Sequence, residues 1–126
     1  MPRPVHFEIH ADDPQRAAAF YRSVFDWEIE KWEGPQEYWL VATGPEGTPG
    51  INGGLMRRMG GSGDAVIAYV CTVDVPSVYD HVERVTAAGG SVVMPRMAIP
   101  GIGWHAYCKD TEGNLFGIIE NDPEAS

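Results

Sequence analysis

The sequence predicts an α+β protein built from two tandem βαβββ modules, and three observations carry that prediction. The pattern strand, Asp-x-Pro, amphipathic helix occurs twice, at Asp12-Asp13-Pro14 and at Asp74-Val75-Pro76, with Pro14 and Pro76 standing 62 residues apart, about half the chain. At that offset Phe7 meets Tyr69, Ile9 meets Cys71 and Phe20 meets Val82, apolar on apolar. A glycine-rich stretch, Gly60-Gly61-Ser62-Gly63, separates the two copies as a linker would. Residues 1–126 are therefore read as one domain, with module one at about 5–59 and module two at about 65–121.

Each element has a local reason. Val5 to His10 alternates, with Phe7 and Ile9 on one side and His6, Glu8 and His10 on the other, as a half-buried strand requires. Aspartate before Pro14 supplies an N-cap and proline suits the first helical position. Ala17, Phe20, Tyr21 and Val24 then recur at helical spacing and predict the face turned to a sheet. Asp26 ends the helix, because aspartate tolerates the left-handed conformation. Three strands follow, at 27–32, 38–43 and 51–57, punctuated by Gly34-Pro35 and Gly44-Pro45. In the second copy Ala65 to Val73 reads as a strand and Asp74-Val75-Pro76 as the helix start. The predicted helix stripe is Val75, Val78, Tyr79, Val82 and Val85, with Gly89-Gly90 as the stop. Strands at 91–94, 103–108 and 115–120 complete the module, and the tail from Asn121 to Ser126 reads as frayed.

Composition narrows the function classes. Apolar residues make up 44% of the chain and charged residues 21%, ordinary values for a globular protein. No apolar run approaches the about 18 residues that cross a bilayer, and the N-terminus leads straight into a strand-like segment. A cytoplasmic protein is expected. Eighteen acidic against nine basic residues give a formal charge of -9, which repels nucleic acid and anionic membranes and favours neutral or cationic ligands. The two cysteines, Cys71 and Cys108, lack CxxC spacing and an activating base nearby in sequence, and read as buried small hydrophobes.

The segments HFEIHADDPQRAAAFYRSVFDW, YWLVATGPEGTPGINGGL, YVCTVDV, AAGGSVV and KDTEGNLFGIIE together resemble the vicinal oxygen chelate superfamily, which includes glyoxalase I, bleomycin-resistance proteins and extradiol dioxygenases. The resemblance covers about Val5 to Asn121 and is closest to the small bacterial glyoxalase-related proteins without assigned chemistry. It implies that each module curls its strands so that the two form a cup-shaped, half-open barrel. It also implies a homodimer, and a strand order that keeps Cys71 and Cys108 too far apart for a disulfide. Metal-dependent relatives carry ligands on the first and last strand of each module. Transferred position by position, the first ligand falls on His6, the second near Gly53 to Leu55, the third on Ala68 and the fourth on Gly117. Three of the four lack a donor side chain, whereas a catalytic metal generally needs at least three protein ligands. No cofactor is expected, and His6 is the one candidate metal ligand among these four positions.

Several residues remain candidates for contact with a small molecule. His6, Glu8 and His10 share a strand face at about 6.5–7 Å spacing. They read as polar groups lining a wet cup, as acid–base partners with Glu8 as base and a histidine beside it, or as an H-x-E-x-H metal array. The matching face of module two carries Ala68, Val70 and Thr72, joined by Leu115, Gly117 and Ile119, so one wall is polar and the other apolar. Tyr38, Trp39, Trp104, His105 and Tyr107 offer a stacking wall or pack against the helix layer, with one or two expected on a ligand.

Two readings stay open. In the first, the chain is a metal-free protein that binds a small organic molecule, as bleomycin-resistance proteins do. In the second, it is a metal-dependent lyase, isomerase or dioxygenase with a relocated or incomplete site. A pure interaction or scaffold protein is the third alternative, and enzyme status is left open by the sequence.

Overall fold

Residues 2–59 and 67–126 are described by a computed structural model; the glycine linker and the predicted start of the fifth strand at Ala65 lie outside them. The elements run β1 (Arg3–Ala11), α1 (Pro14–Phe25), β2 (Glu28–Lys31), β3 (Trp39–Ala42), β4 (Gly53–Arg57), β5 (Tyr69–Asp74), α2 (Val78–Ala87), β6 (Ser91–Ile99), β7 (Gly103–Lys109) and β8 (Leu115–Asn121). This is a mixed α+β chain, and the βαβββ order occurs twice. By contacts, His6–Val70 forms one unit and Met1–Val5 with Cys71–Ser126 the other. Among the described residues, no helix is long and apolar enough to cross a membrane.

In the His6–Val70 unit the strands lie in the open order β2-β3-β4-β1, with β1 parallel to β4 and the other pairs antiparallel. Asp13 caps α1 by accepting from the Arg16 N–H, Pro14 occupies the first turn, and Asp26 ends the helix in the left-handed region at φ 59°. The face of α1 differs from the predicted stripe. Pro14 and Ala18 are buried and Ala17 and Tyr21 pack on the core, while Phe20 and Val24 are exposed. Two adjacent alanines let the helix axis approach the sheet closely, and that rotates the larger side chains outward. Beneath lie Ile9, Ile29, Trp39, Val41 and Leu55.

In the other unit the order is β5-β8-β7-β6, with β5 parallel to β8. Its core gathers Val75, Val78, Ala106 and Ile118, with Val73, Val82, Trp104 and Phe116 against it. Here the predicted helix start is corrected. Ser77, not Asp74, is the N-cap, accepting from the Asp80 N–H. Asp74 is the last residue of β5, and Val75 N–H donates to Ile119 O, so the chain is still held by the sheet where the sequence pattern starts the helix. Tyr79 turns outward while Val78 and Val82 turn in. β6 is longer than predicted and carries register shifts between Val92 and Met94 and between Met94 and Met97. The tail is not frayed: Ala125 is buried, its carbonyl accepts from Gly101 N–H, and Asp122 N–H donates to Ile102 O.

Because Ser77 satisfies an end-of-helix donor that no backbone carbonyl reaches, Ser77→Ala is expected to destabilise the protein by about 1 kcal/mol. A lowered urea midpoint with an unchanged denaturant slope is the expected readout.

Candidate functional site

Strand parity sorts the side chains of the His6–Val70 unit. Phe7, Ile9, Trp39, Val41 and Leu55 belong to the core under α1. On the other face Glu8 is paired with Gly54, and Gly54 with Leu40, with Tyr38 two residues before Leu40 on the same side. A Cβ at Gly54 would collide with the Tyr38 hydroxyl and ring. The absent side chain is what lets the phenol lie across β4 and reach Glu8.

The phenol joins a hydrogen-bonded chain. Tyr38 Oη–H donates to Glu8 Oε2 at 2.9 Å, and His10 Nε2–H donates to Glu8 Oε1 at 3.2 Å. With its proton directed at Glu8, Tyr38 Oη accepts from His6 Nε2–H at 2.9 Å. Glu8 is 6% exposed and His10 2%, and His10 Nδ1 is buried without a hydrogen-bond partner. Burial pushes the His6 imidazole below its ordinary value, against a smaller upward pull from Glu8. Backbone contacts fix the end of the strand. His10 N–H donates to Ala68 O, and the Arg58 guanidinium spans His10 O, Ile67 O and the Asp12 carboxylate. Ala68 is exposed and borders a groove of about 470 Å³ with His10, Phe20, Tyr21, Arg58 and Tyr69. Tyr69, bonded to Tyr21, has its phenol pushed up to about 12, chiefly by burial. A larger depression, about 650 Å³, is formed by the loop from Thr43 to Asn52, but Glu46 is its one ionisable side chain, so it offers little chemistry.

In the second unit Thr72 is paired with Gly117, Tyr107 also with Gly117, and His105 with Ile119. The sequence reading that set Thr72, Gly117 and Ile119 on one face agrees with this register. His105 and Tyr107 are buried and meet edge to face at 4.5 Å between centroids. Thr72 is 2% exposed and its hydroxyl has no hydrogen-bond partner.

Two sequence candidates are placed elsewhere. Trp39 packs in the core under α1, and Trp104 packs against the core under α2. Trp104 donates from Nε1 to Asp122 and carries the Arg96 guanidinium 3.8 Å above its ring. Both tryptophans lie one residue out of phase with the faces of Glu8 and Gly117. Conversely, Tyr38, which the sequence offered only as one of five aromatics, is the residue that links His6 to Glu8. The available signal was its parity with Leu40 and a glycine on the strand expected to adjoin it. Cys71 is exposed rather than buried, Cys108 is buried, and both thiols are free.

Two βαβββ units with an open strand order define an α+β fold class. The chain belongs to the Glyoxalase/Bleomycin resistance protein/Dioxygenase superfamily, whose sequence profile matches residues 3–118. Among solved structures it is similar to a superfamily member from Vibrio splendidus 12B01, at 20% identity and TM-score 0.62, covering 97% of this chain and 100% of that one. It is similar also to methylmalonyl-CoA epimerase from Mycobacterium tuberculosis, at 16% identity and TM-score 0.65, covering 95% and 88%. A hypothetical protein from Bacillus halodurans C-125 gives 12% identity and TM-score 0.67, covering 99% and 98%. At these identities the likeness shows the fold. A comparison with curated proteins gave no match.

The His6 shift has a pH consequence with a definite sign. Its unfolded value is near 6.5 and its folded value lies below that, so between the two the unfolded chain holds more protons. The stability contributed by uncharged His6 is full above about pH 6.5 and is lost as the pH falls through that window. Urea unfolding at about pH 7 and about pH 5 is expected to show this loss, and His6→Gln is expected to shrink it.

Proposed function

We propose that the chain binds a small organic molecule and does so without the superfamily's usual divalent metal site. The observation that carries this reading is at Gly54, within the second ligand position, where Tyr38 fills the space a ligating side chain would need. Ala68 and Gly117 offer no donor at the third and fourth positions. His6, at the first, has its Nε2 committed to Tyr38. Among the described residues no group of three or more His, Cys, Asp or Glu side chains is arranged to hold a metal ion. The formal charge of -9 supports a neutral or cationic ligand. A homodimer is part of this proposal, on superfamily resemblance.

A second reading rests on the His6–Tyr38–Glu8–His10 chain. A buried carboxylate bonded to a phenol and an imidazole is suited to accept a proton from a bound ligand and to pass it on. On this reading the protein is an isomerase or lyase with Glu8 as base, and it differs from the binding reading in turning over its ligand. The metal-dependent lyase, isomerase or dioxygenase with a relocated site stays as the alternative that metal analysis tests.

Protein purified without chelator and without nickel affinity is expected to contain substoichiometric Zn, Ni, Fe and Mn by elemental analysis. Its melting temperature is expected to rise with small organic cations from a panel. Stoichiometric metal overturns the metal-free reading. Turnover of hemithioacetals or catechols restricted to metal-supplemented protein favours the relocated site, whereas metal-independent turnover abolished by Glu8→Gln favours acid–base catalysis.

A further inference from the structure

The groove beside α1 gathers aromatic rings that the core does not cover. All its lining residues belong to the His6–Val70 unit, and α1 lies over the face of β1 opposite to Glu8. Phe20 and Tyr69 are each 57% exposed and border the same groove of about 470 Å³. That volume falls within the about 300–1,000 Å³ of small-molecule pockets, and clustered apolar surface left to water marks a binding groove. The rings are held in place. Tyr21 is stacked on Trp27 at 5.3 Å between centroids and 11° between planes, and its hydroxyl bonds that of Tyr69. Phe20 stands at 90° to Tyr21 with centroids 5.2 Å apart, so the two rings form a corner.

The ionic groups around the groove balance. Arg58 pairs with Asp12 at 2.9 Å, and Asp13 with Arg16 completes two carboxylates against two guanidiniums. Such a lining gives a charged ligand no advantage over a neutral one. The Tyr21 and Tyr69 hydroxyls share one hydrogen bond, which uses one of their two protons and leaves the other to donate. We propose that this groove binds a neutral, planar aromatic molecule, seated in the Phe20–Tyr21 corner with a hydrogen-bond acceptor at its edge on the tyrosine hydroxyl pair. A flat ring suits perpendicular walls because it stacks on one and meets the other edge to face. A saturated ring of the same size gains apolar burial without that geometry. Rings already fixed by Trp27 and by the hydroxyl bond lose little freedom when the ligand enters. The proposal rests on the small-molecule reading above and deepens it by assigning a site and a ligand class.

The test titrates ¹³C-labelled full-length protein, read by aromatic proton–carbon spectra, with acetophenone, its saturated analogue cyclohexyl methyl ketone and the cation phenyltrimethylammonium. Acetophenone is expected to shift the Phe20, Tyr21 and Tyr69 resonances saturably and to bind about fivefold more tightly than the saturated ketone. Phe20→Leu, which keeps apolar bulk without a ring, is expected to weaken acetophenone about tenfold, and Tyr69→Phe about fivefold. Both side chains are more than half exposed, so both variants are expected to fold and to melt near wild type. Equal acetophenone affinity in wild type and Phe20→Leu overturns the proposal, as does equal affinity for the two ketones. Phenyltrimethylammonium bound in the groove more tightly than acetophenone overturns the assignment to a neutral ligand. Self-association that Phe20→Leu weakens, with no response to acetophenone, gives the rings to a second copy of the chain and overturns the groove. A probe that binds while these three residues stay unmoved overturns the groove and leaves the small-molecule reading standing. Silence to all the probes and to the organic panel overturns both.

Discussion

Glu8 carries a carboxylate into a sheet face where 6% of its surface meets solvent, and an ion so placed incurs a penalty of several kcal/mol unless donors meet it. Two donors do, the Tyr38 hydroxyl on one oxygen and His10 on the other. The first of them sets a condition on a third strand. Tyr38 reaches Glu8 by crossing β4, and it crosses where Gly54 has no side chain. The contact that satisfies one carboxylate thus dictates a glycine on β4. The same contact draws His6 into the network and away from independent coordination. The packing of Tyr38 over Gly54 and the buried His6–Tyr38–Glu8–His10 chain are two results of one contact.

The two modules repeat a backbone and not a chemistry. In the first, the open face of β1 is charged and internally bonded. In the second, the corresponding face presents Val70 and Thr72 on β5, with Gly117 and Ile119 on β8. Each module buries its own apolar cluster under its own helix, so either open face can change without disturbing the packing that holds its sheet.

Much of the fold was legible because local rules and tertiary packing agree there. Asp13 and Asp26 bound α1 as their chemistry requires, and strand alternation placed Glu8 opposite Ile9 and Thr72 beside Gly117 on the correct face. The second helix start was misread because Asp-Val-Pro imitates Asp-Asp-Pro. Nothing local reveals that Val75 is still bonded to β8. For Trp39 and Trp104 the sequence left two roles open, a stacking wall or packing against the helix layer, and the structure places both in the packing role. Aromatic identity says nothing about facing, and parity, which does, assigns both to the helix layer. Tyr38 was overlooked as the hub because its partner is a void, and a glycine in a strand acquires meaning only once its neighbours across the ladder are known.

The unequal burial of the two sulfurs gives the molecule a built-in asymmetry of reactivity. Cys108 is sealed in β7 and burial pushes its thiol up, which suppresses the thiolate that alkylating reagents attack. Cys71 stands exposed one residue before Thr72. A maleimide fluorophore will therefore attach at a single position without any engineering of the chain, on β5.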